Sequence, residues 1–217
     1  SGMGLVLPAI EAYHVQHLPI VKAYADKIGL VEAINQVVPT EMAIDPGTIV
    51  LGMILDTLSG RSPLYRLEEF FAGQDTALLL GKAVAPGAFA DDTAGRVLER
   101  LYDTGTMKVF TACAVRADQA LHFDKRYVHF DTTSVSVYGE YLPPEPPPQQ
   151  AESKVQAVPL TITYGYSKDK RPDLKQFVFS TLCVDRAVPL WGKPEDGNAS
   201  DKAVNNTLLS NIAAFLA

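Results

Sequence analysis

The feature that most constrains this chain is a change of period near His122. Before it, apolar residues return at spacings of three and four, the repeat of amphipathic helices; after it they alternate with polar ones, the repeat of strands. The chain therefore reads as a helical region over residues 1–121 and a strand-bearing region over 122–217. Its 217 residues, 47% of them hydrophobic, suffice for a real core. The expected fold class is α+β.

In the helical region, Asp45 and Pro46 form a start signal and Gly60 a stop, with Val50, Leu51, Ile54, Leu55 and Leu58 as the expected buried stripe. Ser62 and Pro63 repeat the signal, with Leu64, Leu67, Phe70 and Phe71 as a stripe and Gly73 as a stop. Asp91 is expected to cap a helix carrying Val97, Leu98, Leu101 and Tyr102 on one face, ended by Gly105. A further helix is expected from Met107 to Leu121, and an earlier pair, Ile20–Ile28 and Leu30–Val38, is broken by Gly29. Short helices joined by glycine turns fit a helix-turn-helix or a plain bundle. Nine Lys and Arg against fourteen Asp and Glu through residue 120 favour the bundle.

The net charge of −6 argues against a protein that coats nucleic acid. From residue 121 onward ten basic residues face eleven acidic ones, so phosphate contact is more plausible there. Lys168, Lys170, Arg171 and Lys175 cluster in one polar stretch, interleaved with Asp169 and Asp173, which can neutralise them. The apolar run Ile49–Leu55 is far shorter than the roughly 20 residues of a membrane helix, and Asp56 ends it. Met3–Ile10 lacks the basic lead of a secretory signal. A cytoplasmic protein with no membrane partner is expected, with Cys113 and Cys183 as buried thiols without chemistry.

The segment Arg126–Tyr138 reads as the first strand, Val158–Tyr164 as the second and Gln176–Val184 as the third. A turn at Asp185-Arg186 and a short apolar segment Ala187–Trp191 follow. Pro143–Gln150 reads as an exposed Pro-rich loop and Gly192–Ser200 as another loop. A final helix, started by Ser200 or Asp201, carries Val204, Leu208, Leu209, Ile212 and Phe215 on one face. The strand beyond it that such a face would pack under does not follow, so this α/β domain reads as incomplete.

Asp131, in His129-Phe130-Asp131-Thr132-Thr133-Ser134, is the residue with most to explain, because a carboxylate in an apolar β-forming run is costly unless paired or metal-bound. A salt bridge or capped turn would satisfy it without chemistry. An aspartic-protease reading needs Gly where Thr133 stands. A phosphoryl-accepting DxDxT aspartate needs Asp there. A carboxylate on the first strand of a ribonuclease-H-like sheet, binding a divalent metal with acids from a later strand and helix, fits the strand order.

Five segments, in this order, resemble the DDE-type insertion-sequence transposases that carry a helical N-terminal domain of unassigned function. They are Gly60–Leu67; Asp91-Asp92 ahead of Gly95–Leu101; Phe130–Ser134 with Tyr138-Gly139; Gly165–Gln176; and Gly197–Asp201. The Gly-Tyr-Ser-Lys stretch opening at Gly165 is the most specific, and the resemblance spans nearly the whole chain. It implies that Asp131 is the first acid of the DDE triad and a metal ligand, and that Mg²⁺ or Mn²⁺ serves DNA strand cleavage and joining in the full-length enzyme. It also implies that the second and third acids lie further along. Asp201 is better explained as a helix cap than as one of them.

One carboxylate cannot build a Mg²⁺ shell, so this chain alone is expected to be inactive and to bind no metal tightly. The loop cations Lys168, Lys170, Arg171 and Lys175 are the candidate DNA contacts. An alternative is a non-catalytic DNA- or protein-binding partner of a transposase, which could form a homo-oligomer through the exposed sheet edge and C-terminal helix. His14 and His17, one helical turn apart, lack a third ligand and read as a surface pair. His122 and His129 read as structural, and Trp191 and Tyr166 as core or, less readily, base-stacking aromatics.

Overall fold

The computed structural model describes residues 12–141, 160–166 and 170–199. The chain divides into two compact units, Ser1–Thr104 and Gly105–Ala217. That division falls one helix before the change of period. The architecture is α+β: helices, then a three-stranded antiparallel sheet.

The helical unit contains α1 (Leu18–Lys27), α2 (Leu30–Val37), α3 (Pro46–Ser59), α4 (Leu67–Ala72), α5 (Thr76–Leu80) and α6 (Asp91–Thr104). Gly29, at φ +63°, makes the left-handed break between α1 and α2 that a Cβ would strain. Asp45 caps α3, its Oδ1 accepting from the Thr48 amide at 2.8 Å, while Oδ2 accepts from the Thr48 hydroxyl at 2.9 Å.

The buried face of α3 is rotated from the expected stripe. Ile49, Leu51, Gly52, Leu55 and Asp56 are buried, Val50 and Ile54 are intermediate, and Leu58 is 51% exposed. The reason lies at Gly52. A Cβ there would stand 2.7 Å from Phe89 Cε1 and 3.0 Å from Phe71 Cε2, so its absence lets both rings lie against the helix. Those rings stack with centroids 4.0 Å apart, and with Leu18, Leu67, Leu79 and Val97 they fill the core.

Other local expectations need correction. The segment after Pro63 is a 3₁₀ turn, Leu64–Arg66, followed by α4, which buries Leu67 and Phe71 but leaves Leu64 exposed. Asp91 is the first residue of α6 rather than its cap; its Oδ1 accepts from the Asp92 amide. On α6 the buried residues are Ala94 and Val97, whereas Leu98 and Tyr102 are exposed. The sequence reading lacked α5, capped by Asp75 through the Leu78 amide, and the 3₁₀ turn Pro86–Phe89.

In the second unit, α7 (Thr106–Leu121) packs on a sheet of β1 (Val128–Val137), β2 (Lys175–Val184) and β3 (Val188–Glu195), in the order β1-β2-β3. Ala114 and Phe110 of α7 meet Leu182, Val184, Leu190 and Trp191, so Trp191 belongs to the core. His122, at φ +53°, ends α7. The loop expected at Gly192–Ser200 is β3 as far as Glu195. Gly192 suits that strand because a Cβ would meet the Phe179 ring at 2.9 Å.

The expected strand Val158–Tyr164 lies partly outside the described residues. From residue 160 onward its pairing among the described residues is an isolated bridge, Thr163 to Gln176, with a backbone hydrogen bond from Gly197 to Thr161. The Pro-rich stretch 143–150 and the final helix with Asp201 lie outside the described residues. None of the described helices is long and apolar enough to cross a membrane.

Candidate functional site

Alternation along β1 separates its residues into two faces. Thr132 is buried and aligned with Ser180, on the side that carries Leu182 and Val184. Asp131 lies on the other face, exposed, aligned with Thr181 and flanked along its own strand by His129 and Thr133. On β2 the neighbours of that face are Phe179, Thr181 and Cys183, all half-buried. Asp131 Oδ1 accepts from the Thr132 amide at 2.8 Å, and no ion pair engages the carboxylate among the described residues.

Because Asp131 is exposed, the burial cost expected of a carboxylate in this strand does not arise, and no salt bridge or capped turn is needed to offset it. The residue stands in the middle of a regular strand, and β1 is an edge strand, paired on one side only among the described residues. A hard, exposed carboxylate oxygen of this kind is a suitable ligand for Mg²⁺ or Mn²⁺. It supplies one ligand of a shell that needs several: no group of three His, Cys, Asp or Glu side chains among the described residues could hold a metal ion.

The four loop cations differ in their surroundings. Lys168 lies outside the described residues. Lys170 is exposed, at φ +56°. Arg171 grips Asp173 with two hydrogen bonds, 2.8 and 2.7 Å, and lies 5.9 Å from the Tyr138 ring centroid. The hydrogen bond with Asp173 pushes the guanidinium pKa up and holds the Asp173 carboxyl below its ordinary range. Lys175 is half-buried and donates to the Tyr141 carbonyl at 2.6 Å. Two of the four are thus committed within the protein.

The sequence reading missed a junction at the start of β2. Gln176 is buried, and its Nε2 donates to the carbonyls of Gly197 at 2.8 Å and Tyr166 at 3.3 Å. A Cβ on Gly165 would fall 1.9 Å from the Gly197 oxygen, and one on Gly197 would fall 2.0 Å from the Gln176 oxygen. Two segments picked out for their resemblance, those opening at Gly165 and Gly197, therefore meet backbone to backbone. Their opening glycines were the available signal.

The histidines join no group of metal-ligating side chains among the described residues. His14 precedes α1 rather than sharing a helical turn with His17, whose Nε2 lies 3.0 Å from the Leu58 carbonyl. His129 is exposed on β1, and both cysteines are free and half-buried.

Residues 10–115 match the family described as a domain of unknown function (DUF4277). The DUF4277 match covers most of the helical unit and runs into α7, stopping before β1 and Asp131. No curated protein and no solved structure matches the chain.

Proposed function

We propose that the second unit is the opening part of a ribonuclease-H-like domain of a DDE transposase, with Asp131 as the first of three acids, and that the helical unit is its appended N-terminal domain. The observation that carries this reading is the position of Asp131: mid-strand on β1, on the exposed face, with its carboxylate free of any cationic partner among the described residues. A buried or arginine-paired aspartate would be structural; this one is open to a cation. Among the described residues the antiparallel run β1-β2-β3 pairs β1 on one side only, and the other edge is where a strand bringing a neighbouring acid would have to arrive. The match of residues 10–115 to a domain of unknown function accords with a transposase group whose helical N-terminal domain has no assigned role.

In that reading the metal ions, Mg²⁺ or Mn²⁺, supply the activation of the attacking hydroxyl and stabilisation of the leaving oxygen. The chain's own part is positional. The Thr132 amide fixes one carboxylate oxygen and leaves the other to the cation, while pairing with β2 holds the strand that carries it. DNA is the substrate, and of the loop cations Lys170 is the exposed one that forms no ion pair among the described residues.

The test is strand cleavage and joining by the full-length protein carrying Asp131→Asn. Loss of both reactions with DNA binding retained supports the assignment; undiminished cleavage overturns it.

A further inference from the structure

In the helical unit, the loop before α3, the loop after α5 and the first turns of α6 surround a cavity of about 470 Å³. Its size falls within the range of small-molecule sites. Met42, Ile44 and Val84 give it an apolar wall, and Lys82, Thr93 and Arg96 are its polar residues. No acidic side chain among the described residues lines it, although this half of the chain carries more acids than bases.

Both cations are held in place from outside the cavity. Arg96 is anchored through Nε to the Asp92 carbonyl of its own helix at 3.1 Å and forms no ion pair among the described residues. Its terminal nitrogens therefore keep their donors for another partner. Lys82 is fixed by Asp45 Oδ2 at 2.7 Å, and Asp45 divides its charge among Lys82, Asn35 and Thr48. With Lys82 paired to Asp45, the Arg96 guanidinium is the group that matches an oxyanion, and the apolar residues of the lining match a hydrocarbon body.

We propose that this cavity binds a small organic anion, a carboxylate or phosphate carried on a short apolar chain. The site is independent of Asp131, so its failure leaves the transposase reading untouched.

Octanoate, octyl phosphate and octanol, titrated into isotope-labelled protein and followed by amide chemical shifts, test it. The proposal expects saturable shifts centred on residues 42–44, 82–88 and 93–96. Either anion should bind at least about tenfold tighter than octanol, the discrimination expected of one charge-assisted hydrogen bond. The tighter of the two anions identifies the head group. Arg96→Gln should weaken anion binding by roughly tenfold or more without changing the melting temperature, and Ala88→Phe should block the cavity. Equal binding of octanol and the anions, shifts elsewhere in the protein, or undiminished binding by Arg96→Gln would overturn it. If Ala88→Phe fails to fold, the Arg96 variant decides alone.

Discussion

Asp131 of β1 and Thr181 of β2 stand in register on one face of the sheet, opposite the face on which Leu182 and Val184 join the core. A one-residue slip of β1 would turn Asp131 into that core and Thr132 out of it. The exposure of this carboxylate is thus tied to the same register that buries Thr132 and Ser180. Moving the carboxylate one position, as in Asp131→Thr combined with Thr132→Asp, should place an unpaired charge at a buried position. We expect a drop in stability on the order of 2 kcal/mol or more, read by urea unfolding, whereas Asp131→Asn alone should cost less than about 0.5 kcal/mol. Equal costs for the two changes would contradict the register argument.

The Asp45 cap should make the helical unit sensitive to acid. Burial alone would raise this carboxyl's pKa, but hydrogen bonds from Lys82, Asn35 and Thr48 outweigh it and hold the group well below the ordinary carboxylate range. A depressed folded pKa contributes stability that is fully present above the unfolded value, near 3.8, and is lost as pH falls through the folded one. Asp45→Ala should therefore cost about 1–2 kcal/mol at neutral pH, the usual range for a cap. Thermal melts should show a smaller gap between variant and parent at the lowest pH at which both remain folded. A gap that widens on acidification would refute the assignment.

Gly52 tests the ring stack. Alanine is the better helix former by up to about 1 kcal/mol, yet here its methyl would press on two aromatic rings. Overpacking of this kind costs about 1–3 kcal/mol. We expect Gly52→Ala to be destabilising, and Phe89→Leu to reduce that penalty in the double variant. Additive effects of the two substitutions would show that the rings are not what the methyl meets.

At the Gln176 junction, Gly197→Ala must displace backbone rather than a side-chain tip. A loss of at least about 1–3 kcal/mol is expected, with faster proteolysis in residues 160–166 and 196–199. Gly60→Ala, which meets nothing within 4 Å, is the control. Matching proteolysis rates for the two variants would count against the junction.

Helix positions were largely readable because capping residues and glycine stops act locally: Asp45, Pro46, Gly29 and Gly105 all mark ends that exist. Which face of a helix is buried was less readable. The α3 stripe turns on rings from Phe71 and Phe89, 19 and 37 positions beyond Gly52, and periodicity carries no information about such partners. Similarly, the period of α7 announces a helix but not that its core lies with β3. Asp131 stood out because polarity interrupts an apolar strand. Gln176 did not, since its value depends on two carbonyls brought in from Tyr166 and Gly197.

DNA binding by the purified chain should be weak and strongly salt-dependent, because Arg171 is paired with Asp173 and Lys175 is turned to the Tyr141 carbonyl. Tight, sequence-specific binding at physiological salt would contradict that. The purified chain should also leave supercoiled DNA intact in Mg²⁺ or Mn²⁺.

The role of Asp131 as a cation ligand can be tested without catalysis. Trace Mn²⁺ added to isotope-labelled protein should broaden the amide signals of Asp131, Thr132 and Thr181 first, at millimolar rather than micromolar affinity, and Asp131→Asn should abolish that pattern. Broadening centred elsewhere, or unchanged in Asp131→Asn, would contradict the account.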